Sequence, residues 1–390
     1  MSKNQFIVYG KPCYGKEEIS SINKVVKSYW IGTGKQVNIF EKSFARYKHS
    51  KFATALNSCT AALHLSILSL NPKQGDEVIT TPMTFASTVN SIILAGCKPV
   101  LVDINRNSLN IDENLIEKKI TKKTIAIILV HFAGLPCNME PIIHLANKYK
   151  IKIIEDCAHA IESKYKNKST GTFGHAGCFS FYSNKNITTG EGGMLICKEK
   201  KIDSKFKVLR LHGMSRDAWK RFLPRKKGKK WNHYDVIELG HKYNMIDLNA
   251  AFGIEQLKKI NSMYKKRERI YKKYTEKLKD LPLFFQEEKR YKFKHAYHLF
   301  PIILDKKKTK KTRDGFLFYL NKNNIGAGVN YRSITQLSYF KKNYKWNEKT
   351  CKVASYVGKN IISLPIYPDL SIKQQNYIIS KIRYFFKNKN

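Results

Sequence analysis

The strongest constraint on this chain is an alternation. Through the first 200 residues, short apolar runs take turns with helical stretches. Phe52–Leu56, Glu77–Thr81, Pro99–Ile104, Ile125–His131, Lys152–Glu155, Gly177–Phe181 and Met194–Cys197 are short and rich in β-branched or aromatic residues. Gly, Pro, Asp or Asn bound them, so they read as buried strands. Between them, Thr60–Leu70, Ala86–Ala95 and Glu140–Lys150 carry helical patterns. Strands separated by helices must cross over, which implies an α/β fold: a mostly parallel sheet with helices on both faces. From Cys178 to Cys197 there is no room for a crossover helix. One strand there is expected to run antiparallel, or to be joined by a long functional loop.

The texture changes after residue 200. Lys201–Tyr243 is basic and irregular, with Trp219 and Trp231. Met245–Lys279 has a long helical pattern, apolar at Leu248, Ala251, Phe252, Ile254, Leu257 and Ile260. Its charged distal half, Tyr264–Lys279, reads as an exposed inter-domain helix. Strands His298–Leu304 and Ile325–Tyr331, with helices Arg313–Asn321 and Ile372–Phe386, make a smaller α+β domain. The expected division is a large domain over residues 1–260 and a small one over 261–390. No apolar run approaches the roughly 18 residues of a membrane span. The N-terminus lacks the basic-then-apolar plan of a signal peptide, so a soluble, cytoplasmic protein is expected.

Charge is the outlier: 72 Lys+Arg stand against 30 Asp+Glu, a formal +42. Such an excess fits either a polyanion binder or a lysine-rich solvated surface. The lysines are spread along the whole chain, and the clusters Arg225–Lys230 and Lys306–Lys311 fall between periodic segments. Base-reading proteins favour arginine forks. The balance favours the solvated surface, with nucleic acid not an expected partner. The eight cysteines form no C-x-x-C, and most lie in apolar runs. They read as reduced core thiols, and no His/Cys spacing of the zinc type points to a metal.

Three segments could carry chemistry. Asp156 ends the run Ile153-Ile154-Glu155-Asp156, at the carboxyl end of a strand where open α/β sheets bind ligands. It could hold a buried cation or a protonated ring nitrogen, or simply cap the next segment. Lys185 lies between an apolar strand and a turn of Thr and Gly. Partial desolvation there would lower its pKa and make it a Schiff-base nucleophile, whereas most lysines only face solvent. Asn57-Ser58-Cys59-Thr60 forms a strand-to-helix turn of small residues. Its free N–H groups suit a phosphate, or merely start a helix. Neither a Walker loop nor G-x-G-x-x-G is present.

Taken together, the motifs resemble a known family. Trp30-Ile-Gly-Thr-Gly34, Asn57-Ser-Cys-Thr-Ala-Ala-Leu-His64, Thr81-Pro-Met-Thr-Phe85, Val130-His-Phe-Ala-Gly134, Glu155-Asp-Cys-Ala-His159, Ser180-Phe-Tyr-Ser-Asn-Lys185, Thr189-Gly-Glu-Gly-Gly193 and Leu364-Pro-Ile-Tyr-Pro368 occur in its order and spacing. The family is DegT/DnrJ/EryC1/StrS, pyridoxal-phosphate sugar aminotransferases of the aspartate-aminotransferase fold (fold type I). The likeness runs from about Tyr9 to the end.

The resemblance implies roles. Lys185 looks like the lysine that binds pyridoxal 5'-phosphate covalently and later carries the proton. Asp156 matches the carboxylate paired with the pyridine nitrogen, which keeps the ring an electron sink. His159 matches the position facing the ring hydroxyl, and Phe85 the aromatic that stacks on the ring. Ser180, with Cys59-Thr60, matches the phosphate cradle. Tyr9, Trp30 and Gly32 occupy positions that line the sugar-nucleotide site in similar enzymes.

Two departures stand out. In Gly240-His-Lys-Tyr-Asn-Met245, Lys242 replaces an Asn that often reaches the partner subunit's cofactor phosphate, and Asn244 stands where Arg is common. Val329-Asn330-Tyr331 has Asn330 where His is frequent, beside Tyr331 in the substrate region.

The implied reaction is a ping-pong amino transfer from an amino acid, glutamate, to a nucleotide-linked keto-sugar. A 4-keto-6-deoxyhexose is the first choice and a 3-keto-sugar the second. Products of such enzymes feed polysaccharide, glycan or antibiotic assembly. A homodimer with shared active sites is expected. Rivals are a pyridoxal-phosphate sugar dehydratase, whose lysine would be a histidine, and a non-catalytic basic nucleic-acid-binding protein, which would be expected to lose Lys185 or Asp156.

Overall fold

Apolar runs without a polar face need cover on both sides, and here they lie edge to edge in one seven-stranded sheet. The structure, a computed structural model, describes residues 6–215 and 234–387. Trp219, Trp231 and the Arg225–Lys230 cluster lie outside the described residues.

In chain order the strands of the first half are β1 (Phe52–Leu56), β2 (Glu77–Thr80), β3 (Lys98–Leu101), β4 (Thr124–Val130) and β5 (Lys152–Asp156). The short β6 (Lys164–Tyr165) and β7 (Lys168–Ser169) follow, then β8 (Ala176–Ser180) and β9 (Gly193–Cys197). The main sheet has the order β1-β9-β8-β5-β4-β2-β3. From β3 to β8 neighbours are parallel, and β9 is antiparallel to β8 and to β1. The antiparallel strand expected before Cys197 is therefore β9.

The helices of this part are α1 (Lys16–Lys27), α2 (Lys35–Lys48), α3 (Cys59–Leu68), α4 (Ala86–Leu94), α5 (Met139–Lys148), α6 (Lys200–Leu209) and α7 (Asp247–Leu278). Ala61 through Ile67 of α3 are all buried, which explains its almost wholly apolar sequence. The start of α2 is capped from far along the chain. Asp247 Oδ1 accepts the Gly34 and Val37 N–H groups, and Oδ2 accepts that of Gln36.

The remaining strands are β10 (Leu283–Phe285), β11 (Phe293–Lys294), β12 (Phe300–Leu304) and β13 (Ile361–Leu364); β10, β12 and β13 form an antiparallel sheet. The last helices are α8 (Arg313–Lys322), α9 (Ser338–Tyr344), α10 (Lys352–Asn360) and α11 (Ile372–Lys387). Ile7, Phe300, Ile302, Phe316 and Ile378 share one core here with Ile270, Tyr274 and Leu278 of α7.

Two expectations change. The distal half of α7 is not an exposed strut, because one face buries Arg267, Ile270, Tyr274 and Leu278 and only the other carries charge to solvent. Residues 325–331 form no strand; they make only isolated bridges, Ile325 to Ile7 and Gly328 to Ser363. Gly326 lies against the Tyr9 backbone and Gly328 against the Tyr9 ring, so this segment packs on the N-terminal arm rather than joining a ladder. All eight cysteines are free, six of them buried. Among the described residues no helix is long and apolar enough to cross a membrane.

Candidate active site

The carboxyl end of a parallel strand leaves backbone and side chains pointing at whatever sits beyond the sheet edge. Asp156 ends β5, Ser180 ends β8, Cys59 opens α3, and Phe85 is the N-cap of α4. All four line one cavity of about 460 Å³. Thr60, His159, Lys185, Asn330 and Tyr331 line it too.

Lys185 lies on the link between β8 and β9. The link is clamped: Thr188 Oγ1 donates to the Phe181 carbonyl, and the Asn249 amide donates to the carbonyls of Thr189 and Glu191. Burial lowers the Lys185 amine to about 8, against the opposing pull of Cys59 and Asp156. Asp156 is 4% exposed. Its oxygens accept the Thr88 hydroxyl at 2.8 Å and the Ala158 N–H at 3.1 Å. Burial still pushes this carboxyl up, with those two bonds and Lys185 opposing. A buried carboxylate in that condition calls for a cation against it.

Ser58 caps α3, its hydroxyl accepting the Ala61 N–H at 3.1 Å. Among the described residues no acceptor takes the N–H groups of Cys59 and Thr60, so the positive end of α3 faces the cavity. Gly193 lets β9 pass this turn. A Cβ there would come within 2.3 Å of the Ser58 carbonyl oxygen and 2.6 Å of the Cys59 nitrogen.

His159 Nδ1 accepts the Ala133 N–H at 3.3 Å, so the ring's hydrogen is on Nε2, 3.0 Å from the Tyr331 hydroxyl. The two rings stack at 5.9 Å. Burial and Lys185 hold His159 well below the usual imidazole range.

Four residues expected at the site do not line this cavity. Tyr9 stands behind it, donating its hydroxyl hydrogen to Asn330 Oδ1 at 2.6 Å. Trp30 and Gly32 lie between α1 and α2, with Trp30 Nε1 bonded to the Thr33 carbonyl. Lys242 is exposed; its carbonyl accepts the Asn57 amide at 3.3 Å, beside the turn that opens α3. Its ammonium does not enter its own chain's cavity.

The structure adds Thr88, His298, Tyr182, Asn184 and Glu191. Thr88 lies one helical turn past Phe85 in α4, so the sequence spacing already puts the two on one face. His298 gave no signal beyond opening the expected strand His298–Leu304.

His131, Glu155 and Cys157 bring ligand-type atoms within 4.8 Å of one another. They are already engaged: the Glu155 carboxylate accepts hydrogen bonds from His131, Gly171, Phe173 and Gly174, and His131 Nδ1 accepts from Cys137. The cluster braces β4 against β5.

The cavity fits pyridoxal phosphate residue by residue. A desolvated amine can bond its carbonyl carbon, a buried carboxylate can hold a protonated ring nitrogen, and a helix N-terminus with two free N–H groups can take its phosphate. The comparisons agree. The DegT/DnrJ/EryC1/StrS aminotransferase family matches residues 12–383. The chain is 39% identical over 386 residues to the spore coat polysaccharide biosynthesis protein SpsC of Bacillus subtilis, covering 99% of this chain and 98% of that one. Among solved structures, Spr1654 of Streptococcus pneumoniae in its PMP-form superposes with a TM-score of 0.90 at 28% identity, covering 98% and 99% of the two chains. It is also solved in a PLP-form. Helicobacter pylori PseC, an aminotransferase involved in the biosynthesis of pseudoaminic acid, gives 0.87 at 30% identity, covering 98% and 100%. The chain belongs to the DegT/DnrJ/EryC1/StrS aminotransferase family, whose enzymes work through pyridoxal phosphate.

Proposed function

We propose that the protein moves the amino group of glutamate to a nucleotide-linked keto-sugar, a 4-keto-6-deoxyhexose, in the cytoplasm. The observation that carries this reading is Lys185: a half-buried amine that desolvation lowers to about 8, in one cavity with the buried carboxylate Asp156. Such an amine is partly neutral near pH 7 and can act as nucleophile and then as proton carrier. A lysine at this position also argues against the dehydratase reading.

Bound pyridoxal phosphate supplies an exchangeable carbonyl and an electron-accepting ring. Lys185 would hold it covalently, and its amine, once freed, would carry the proton. Asp156 keeps a proton on the ring nitrogen, aided by the Thr88 and Ala158 bonds that fix its oxygens. Cys59, Thr60 and Ser180 would hold the phosphate, Phe85 would stack on the ring, and His159 would face its hydroxyl. Asn330 and Tyr331 meet the sugar, Tyr9 steadies Asn330 through their hydrogen bond, and Trp30 and Gly32 serve the sugar-nucleotide site from outside this cavity.

Lys242 reaches the phosphate in a partner subunit's site. This explains why an exposed lysine beside the α3 turn stays out of its own cavity. The resulting homodimer makes amino sugars for polysaccharide assembly, a role supported by the likeness to SpsC. The test is a coupled assay with UDP-, GDP- and dTDP-4-keto-6-deoxy sugars. Glutamate-dependent release of 2-oxoglutarate with one of them supports the reading, and none with any of them sinks it.

A further inference from the structure

Asn186 follows Lys185 but belongs to a buried polar chain that the reaction above leaves unused. Its amide nitrogen donates to Glu162 Oε2 at 2.7 Å and to the Ala296 carbonyl at 2.8 Å. A carbonyl has no hydrogen to give. The amide therefore has one orientation, its nitrogen toward Ala296 and its oxygen toward His298. Asn186 Oδ1 lies 2.9 Å from His298 Nδ1. An amide oxygen only accepts, so Nδ1 of His298 must carry a hydrogen.

That settles the other nitrogen. Burial, with His159 and Lys185 close by, holds His298 well below the usual imidazole range, so the ring is neutral. Neutral imidazole has one hydrogen, and Nδ1 has it. Nε2 is left as a bare lone pair on a ring that lines the cavity. Glu162, Asn186 and His298 are all buried, at 3%, 5% and 4% exposure. Water does not compete for these bonds.

We propose that Glu162 and Asn186 are positioning residues that hold His298 as a fixed hydrogen-bond acceptor, and that His298 Nε2 takes the hydrogen of a sugar hydroxyl. This rests on the amino-transfer reading and assigns a residue to its second half. The chemistry selects the sugar. Glutamate's carboxylates present only lone pairs and its one donor, the amino group, is the group that reacts, whereas a hexose presents several O–H groups. A site built to bond a hydroxyl also rejects an analogue lacking it more strongly than an apolar wall can.

Two measurements test the assignment. In cofactor-free protein labelled with ¹⁵N in its histidine rings, the His298 signals are identified by their loss in His298→Gln. Nε2 is expected in the unprotonated range and Nδ1 in the protonated one. Asn186→Asp, which offers Nδ1 a carboxylate, is expected to raise the pH at which His298 takes a second proton.

The second measurement follows each half-reaction separately by the cofactor's absorbance, with glutamate and then with whichever 4-keto-6-deoxy sugar the wild type accepts. His298→Asn keeps a group at the Nδ1 position but leaves nothing at Nε2. It is expected to lose roughly tenfold more in the sugar half than in the glutamate half. His298→Gln, whose longer side chain can return an acceptor to the Nε2 position, is expected to recover most of that difference. A protonated Nε2, or equal losses in both halves, overturns the assignment. A wild type that consumes glutamate but accepts no keto-sugar instead refutes the amino-transfer reading, and with it the sugar role of His298; the NMR result then judges the positioning role alone.

Discussion

Thr88 donates its hydroxyl hydrogen to Asp156, with Oγ1 2.8 Å from Oδ2. Thr84 lies 2.8 Å behind Thr88, so a two-hydroxyl chain from the start of α4 steadies the carboxylate at the end of β5. Removing a hydrogen bond to a charged buried group costs about 1.5–3 kcal/mol. Thr88→Val is expected to weaken cofactor binding by at least roughly tenfold while the protein still folds. Titration of the cofactor-free variant with pyridoxal phosphate, followed by absorbance, measures this. Unchanged affinity would remove Thr88 from the site.

The amine of Lys185 carries a pH signature. Its pKa falls from 10.5 in the unfolded chain to about 8 in the folded one. Below pH 8 the folded state bears an unfavourable, partly desolvated charge, and between about 8 and 10.5 the unfolded chain binds the extra proton, so stability rises with pH there. Lys185→Met is therefore expected to melt higher than cofactor-free wild type at pH 7, with the gap closing toward pH 10. Thermal melts across that range decide it. A gap independent of pH would mean the amine is not desolvated.

The passage of β9 against the α3 turn depends on one missing side chain. A Cβ on Gly193 would collide with the Ser58 carbonyl, while one on Gly32 would meet nothing within 4 Å. Gly193→Ala is expected to cost about 1–3 kcal/mol and to loosen the phosphate cradle. Gly32→Ala should leave the melting temperature alone, so a change in sugar KM there would report substrate contact. Urea unfolding with cofactor titration separates the two effects. Equal stability of both variants would contradict the packing described.

The proposed homodimer with shared sites is tested by a complementation experiment. Lys185→Ala and Lys242→Glu are each expected to be inactive. Co-expressed, they form mixed dimers in which one site keeps both native lysines, provided Lys242 acts across the interface. Activity should then reappear. If Lys242 serves its own subunit, both sites of the mixed dimer stay broken and activity stays absent.

Much of this was legible in the residues. Strands buried on both faces have no choice but to be apolar, which is why Ile125–His131 and Met194–Cys197 announce β4 and β9. Asp156 was readable because it ends such a run, and Lys185 because it sits between one and a turn of Thr and Gly. What stayed hidden was set by contacts distant in the chain. The start of α2 is capped by Asp247, whose partners begin at Gly34. The residues 325–331 look like a strand but pack on Tyr9 instead. The charged half of α7 conceals a buried face at every third or fourth residue. His298 acquires meaning only through Asn186, 112 positions earlier.

Every proposed step depends on a covalent bond between pyridoxal phosphate and the Lys185 amine. Holoprotein reduced with borohydride, digested with trypsin and read by mass spectrometry tests it directly. The expected result is the pyridoxyl mass on the peptide bearing Lys185, together with loss of the visible absorbance band in Lys185→Ala. A pyridoxyl group on any other lysine, or none at all, would contradict it.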